Sequence, residues 1–139
     1  MNAKDYLRQV EKLDALIANK LIEQKQWRDI ALGITANMEG ERVQSSGSQS
    51  KMADAVGRCV DMEDEIDRLV DKLIDKKKEV IQTIEQVQNP TWYKVLHLIY
   101  IQYNDLNGVA DVFNMSYDWA KSQHSKAVKI VQKILDERK

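Results

Sequence analysis

The stretch Asp105–Leu135 reads DLNGVADVFNMSYDWAKSQHSKAVKIVQKIL, and the turn Phe113–Asn114–Met115–Ser116 inside it decides how the rest is read. Asp105 stands just before a short apolar-periodic run, Leu106, Val109, Ala110 and Phe113, and its side-chain oxygen suits a helix N-cap. Asn114 stops that helix, because Asn tolerates the left-handed backbone a tight exit needs. Met115 is expected to fold back as an apolar plug, and Ser116 to cap a second helix from Tyr117 to about Leu135. The expected result is helix, three-residue turn, helix, with Ala110 where a small side chain lets the two axes cross closely.

Charge gives that second helix an outward face. From Trp119 to Lys133 it carries Lys121, Lys126, Lys129 and Lys133 and no acid. At about 3.6 residues per turn, Ala120, Ala127, Val131 and Ile134 fall on one stripe, and Asp118, Ser122, Ser125, Lys126 and Lys129 fall opposite. Aliphatics inward with small and basic groups outward suit a polyanion, and the unpaired amides of the first turn suit phosphate. Candidate contacts to base edges are Tyr117, Asp118 and Ser122; Lys121, Lys126 and Lys129 are candidates for phosphate, with Ser125 on the same face. Plain helical packing is the competing reading of the same pattern.

Upstream, Asn89 and Pro90 punctuate the chain, since Asn caps a helix and Pro fits its first position. The helix that follows, to about Tyr103, shows Trp92, Leu96, Ile99 and Tyr103 on one face and reads as the support under the turn. Before it lie two long periodic segments. Ala3 to about Asn37 places Val10, Leu13, Ile17, Lys20, Gln24, Trp27, Ala31 and Ile34 on one face, with Leu21 filling the gap beside Lys20. Lys51 to Gln88 places Met52, Val56, Cys59, Glu63, Ile66, Val70, Leu73, Lys77, Val80, Ile84 and Val87 at alternating spacings of four and three, which argues coiled coil. A polar connection, Met38–Ser50, joins them and implies an antiparallel hairpin. If residue i faces about 87 minus i, then Ile17 meets Val70, Trp27 meets Val60, and Gln24 and Glu63 form a polar layer that sets the register. The competing reading leaves Glu63 in water and packs Met62 instead.

Composition bounds the function. In 139 residues the formal charge is -1, but residues 1–89 hold 14 basic and 17 acidic residues, and residues 90–139 hold 7 and 5. The basic share thus lies with the turn, although a net +2 is mild and implies weak, salt-sensitive binding by one copy. Cys59 is the single cysteine; it cannot form an intrachain disulfide, fits a reducing cytoplasm, and reads as packing. Met1–Asp5 carries charge where a signal peptide needs an apolar run, and no segment approaches a membrane span. The acids Asp61, Glu63, Asp64, Glu65 and Asp67 point in different directions on a helix and read as a solvated face, and Lys76–Lys78 reads as a wet basic face. His97 and His124 lack ligand-spaced partners and read as structural. No phosphate-cradle spacing occurs, and no nucleophile, base and oxyanion set is assembled, so neither a cofactor nor catalysis is expected.

The run Trp92–Leu135 resembles region 4 of sigma-70-type factors, through Val109–Ala110, Ser116 opening the second helix and Lys126–Ala127–Val128 near its middle. The whole chain resembles a family of small bacteriophage-encoded proteins of unknown function with that C-terminus, related to phage late-gene transcription regulators. The further matching pieces are Tyr6–Leu7, Lys12–Leu13–Asp14, Glu41–Ser48, Lys51–Met52, Val60–Asp61 with Glu63, and Tyr100–Ile101–Gln102. This resemblance implies DNA binding and transcriptional regulation in a phage or prophage. Two departures stand out: Asn114 replaces a turn glycine, and Tyr117–Asp118 replace a basic start to the recognition helix. Asp118 repels phosphate, yet a carboxylate can accept from a cytosine amino group.

Together these readings predict an all-α protein: a long antiparallel coiled-coil hairpin over 1–88 for homodimerisation, then a three-helix, sigma region-4-like helix-turn-helix over 89–139 that binds double-stranded DNA in the bacterial cytoplasm. The alternatives are a small-terminase-like packaging protein, which would form rings, and an interaction module that grips host RNA polymerase rather than DNA.

Overall fold

The computed structural model describes residues 1–33 and 46–138, and among them every regular element is an α-helix. The elements are α1 (Ala3–Leu7), α2 (Gln9–Ala31), α3 (Ser46–Glu85), α4 (Pro90–Tyr100), α5 (Leu106–Phe113) and α6 (Tyr117–Glu137). None of these helices is long and apolar enough to cross a membrane. The expected connection at Met38–Ser50 ends early, because α3 has already begun at Ser46. Ile34 and residues 38–45, with part of the Val43–Ser48 string, lie outside the described residues. The first expected helix is two, separated at Arg8 (φ -76, ψ -8), and it ends at Ala31 rather than Asn37. Gly33, at φ +72, supplies a left-handed exit that side-chain-bearing residues rarely adopt.

Packing divides the chain into two compact units, Asp14–Lys72 and Met1–Leu13 with Leu73–Lys139. The turn at Asn89–Pro90 falls inside the second.

Within Asp14–Lys72, α2 meets α3 through partners whose numbers fall along α3 as they rise along α2. Lys20 Nζ lies 3.3 Å from Glu65 Oε2, and Arg58 bridges Glu23 at 3.5 Å and Glu65 at 3.3 Å. The buried Gln24 donates to the Cys59 carbonyl at 3.2 Å. Cys59 Sγ donates back to the Gln24 carbonyl at 3.8 Å. Gln24 therefore meets Cys59 and not Glu63, a register four residues, or about one helical turn, from the expected one. The buried seam is Ala55, Met62 and Ile66 with Ile17 opposite, while Met52, Val56, Val60 and Leu21 are exposed and Glu63 points into water. The reason is energetic: a backbone carbonyl already satisfies the Gln24 amide, and burying Met62 removes apolar surface from water where Glu63 would bury an unpaired charge.

In the second unit, α6 touches two cores. One gathers Ala3, Tyr6, Leu7 and Val10 with Val80, Ile84 and Val87, then Leu96 and Tyr100 of α4 and Ala127 and Val131 of α6. The other gathers Val95 and Leu98 of α4, Val109 and Ala110 of α5 and Ala120 of α6. Helix α4 is thus buried on two sides, and the expected single face running to Tyr103 is corrected: the helix stops at Tyr100, and Tyr103 adopts φ 61. Its start is as read, with Asn89 Oδ1 accepting from the Thr91 and Trp92 amides at 2.9 and 3.2 Å. Thr83 is a buried polar hub. Its hydroxyl donates to the Glu79 carbonyl at 3.0 Å, accepts from Arg138 Nη2 at 2.9 Å and lies 2.9 Å from Tyr6 Oη. The Ala3 amide donates to Gln132 Oε1 at 2.8 Å, tying α1 to α6.

The register makes a direct prediction. Met62→Ala should lower unfolding free energy by about 2–5 kcal/mol, whereas Glu63→Ala should change it by less than about 0.5 kcal/mol. Urea unfolding of the two variants measures both, and equal effects would contradict the seam described.

Candidate nucleic-acid interface

The turn between α5 and α6 is built almost atom by atom as its residues dictate. Asp105 caps α5 by accepting from the Gly108 amide at 2.8 Å. A Cβ at Gly108 would come within 2.8 Å of Asn104 Oδ1, so the Asn104 side chain would have to shift to admit one. Asn114 closes the helix in the left-handed region at φ 55, ψ 43, and the next amide, Met115, returns to the Ala110 carbonyl at 2.9 Å. Ser116 Oγ then accepts from the Trp119 amide at 3.1 Å and opens α6. Met115 is not the plug: it is 48% exposed. The apolar closure comes instead from Phe113 and Trp119, whose ring centroids are 5.1 Å apart, with Lys94 Nζ 5.3 Å from the Phe113 ring centre. A planar ring pair buries more area than one thioether and favours this tilted contact, which leaves Met115 free to face water.

Helix α6 is oriented by its small stripe. Ala120, Ala127 and Val131 are fully buried, and Ile134 packs at the edge of the larger core. All seven candidate contact residues, Tyr117, Asp118, Lys121, Ser122, Ser125, Lys126 and Lys129, are exposed. They do not form one uniform face. Tyr117, Lys121, Ser125 and Lys129 line an open groove of about 780 Å³ whose other wall carries Lys4 and Arg8, whereas Asp118, Ser122 and Lys126 lie outside it. Sequence reasoning missed Lys4 and Arg8. Their only local signal is a basic pair four apart, and only packing of α1 against α6 brings them to this place.

The groove floor holds a polar pair. Tyr100 Oη lies 2.6 Å from His124 Nε2. Burial, with lesser contributions from the Lys4 and Arg8 charges, pushes His124 down to about 4, and burial pushes Tyr100 up to about 12. At neutral pH the imidazole is therefore uncharged, and the arrangement in which Nε2 accepts from the Tyr100 hydroxyl satisfies both groups. His97 Nδ1 lies 2.9 Å from Gln102 Nε2. Among the described residues no group of three or more His, Cys, Asp or Glu side chains could hold a metal ion, and Cys59 is half-buried.

A family model described as "protein of unknown function (DUF1492)" matches residues 34–132, and the chain belongs to that family. The match takes in all seven candidate residues of α6, while Lys4 and Arg8 precede it. Comparison with curated proteins and with solved structures found no match.

The His124 environment sets a pH dependence. Its folded-state pKa lies below the unfolded value of about 6.5, so the unfolded chain binds the proton more readily and acid disfavours folding. Its contribution to stability is complete above about pH 6.5 and is lost as pH falls toward about 4. His124→Gln should flatten thermal stability across this window, as followed by circular dichroism; a wild-type slope that persists in the variant would contradict the assignment.

Proposed function

We propose that this chain is a DNA-binding transcriptional regulator of a phage or prophage, in which α4, α5 and α6 act as a sigma region-4-like helix-turn-helix and α6 enters the major groove. The observation that carries this reading is the orientation of α6. Its small aliphatic stripe is buried while Lys121, Lys126 and Lys129 stand in solvent on a helix held by a capped, left-handed turn. In this reading Asp118 and Ser122, outside the groove, face base edges, and the lysines neutralise phosphates.

The long helices complete the proposal. Helices α2 and α3 form an antiparallel coiled-coil hairpin, and its exposed Val56, Val60 and Leu21 offer an apolar flank for a second copy. A homodimer places two readers on neighbouring half-sites, which offsets the mild charge of one module.

The test is the double variant Lys126→Glu with Lys129→Glu. Both side chains are exposed, so stability should shift by no more than about 0.5 kcal/mol. Affinity for duplex DNA at low salt should drop by at least about tenfold through loss and reversal of phosphate contacts. Fluorescence anisotropy reads this directly, and unchanged affinity would overturn the reading in favour of a module that grips protein.

A further inference from the structure

The groove between α1 and α6 gathers basic side chains from two helices. Four cations line it, Lys4 and Arg8 on one wall and Lys121 and Lys129 on the other, against the two acids Glu11 and Asp105. Its lining is therefore +2, with His124 neutral, in a chain whose net charge is -1. Elsewhere, Lys20, Lys25, Arg58 and Lys76 have carboxylate partners. None of the four groove cations forms an ion pair among the described residues, a property they share with Lys77, Lys78, Lys126 and Lys133; what sets the four apart is that they line one concavity. Like charges held around one concavity, where they outnumber the acids of the lining and are not paired with them, repel one another and raise the local concentration of anions.

The shape narrows the choice of anion. Lys121 and Lys129 are eight residues apart, about 12 Å along α6, and Lys4 and Arg8 are one helical turn apart on the opposite side. The cations form two rows and do not converge on one point, so they suit a chain of phosphates rather than a single one. Ser125 stands between the two lysines of its row, with a hydroxyl able to donate to a phosphate oxygen. The floor is Tyr100 and His124, satisfied by each other at 2.6 Å.

We infer that this groove cradles one phosphodiester strand of a DNA duplex, and that the N-terminal helix α1, through Lys4 and Arg8, is the second wall of the interface. The inference rests on the DNA-binding reading above and extends it. It divides the labour on α6: Tyr117, Lys121, Ser125 and Lys129 follow the backbone in the groove, and Asp118, Ser122 and Lys126 project beyond it. It also makes α1, which precedes the family match, part of the binding machinery.

The experiment is the salt dependence of binding by the full chain. A fluorescently labelled 20-base-pair duplex of arbitrary sequence is titrated by anisotropy from about 50 to 300 mM NaCl, for the unaltered chain, Lys4→Ala with Arg8→Ala, and Lys77→Ala with Lys78→Ala as a charge-matched control. Each lost phosphate contact lowers the magnitude of the slope of log K against log salt by about one. The Lys4/Arg8 variant should lose about two per protomer and bind at least about tenfold more weakly at low salt, while the control keeps its slope. Binding by the unaltered chain with the Lys4/Arg8 variant unchanged would overturn the inference and leave the DNA-binding reading standing. An equal loss in the control would overturn it too, because the slope would then report net charge rather than this groove. Failure of the unaltered chain to bind duplex at any salt would remove both. Unchanged circular dichroism and melting temperature confirm that the variants are folded, as expected for exposed side chains.

Discussion

A row of small side chains on one helix holds the unit formed by Met1–Leu13 and Leu73–Lys139 together. Ala120 seats α6 against α4 and α5, and Ala127 and Val131 seat it against α1 and the end of α3. Each is fully buried, so α6 approaches its neighbours at distances that a larger side chain would prevent, and an added methylene would force the helices apart at a cost of about 1–3 kcal/mol. Because the same stripe serves both cores, the rotation of α6 about its axis is determined twice over. That double constraint turns the lysines outward.

Around this helix the polar groups are sorted by whether they have partners. Thr83, Tyr6 and Arg138 satisfy one another inside the second unit, and Ala3 meets Gln132. The Tyr100–His124 pair closes the groove floor without adding charge to it. Cations that are neither buried nor paired remain at the groove rim. Burial makes the floor neutral and solvent leaves the walls charged, so the electrostatic character of the groove follows from packing rather than from the composition of any one segment.

In the unit Asp14–Lys72 the decisive interaction is smaller. Gln24 occupies a core position with one polar side chain, and its amide is satisfied by the Cys59 backbone carbonyl. That bond and the apolar bulk of Met62 determine which turn of α3 faces which turn of α2. The ion pairs of Lys20, Arg58, Glu23 and Glu65 are partly solvated, and such pairs contribute little individually. They follow the register and do not set it.

What the sequence determined by itself was local. The Asp105, Ser116 and Asn89 caps, the left-handed Asn114 and the buried Ala120–Ala127–Val131 stripe appear as their residue types demand, because capping and helical periodicity involve only neighbours a few residues apart. The outward exposure of Asp118, Ser122, Ser125, Lys126 and Lys129 followed from that periodicity. Tertiary structure alone decided the rest: Met62 over Glu63 in the seam, Phe113 and Trp119 over Met115 at the turn, two buried sides on α4, and Lys4 and Arg8 opposite Lys121 and Lys129. A heptad pattern leaves neighbouring registers close in energy until specific side chains are packed, and no local spacing brings position 4 to position 121. Only the shared core of α1 and α6 does that.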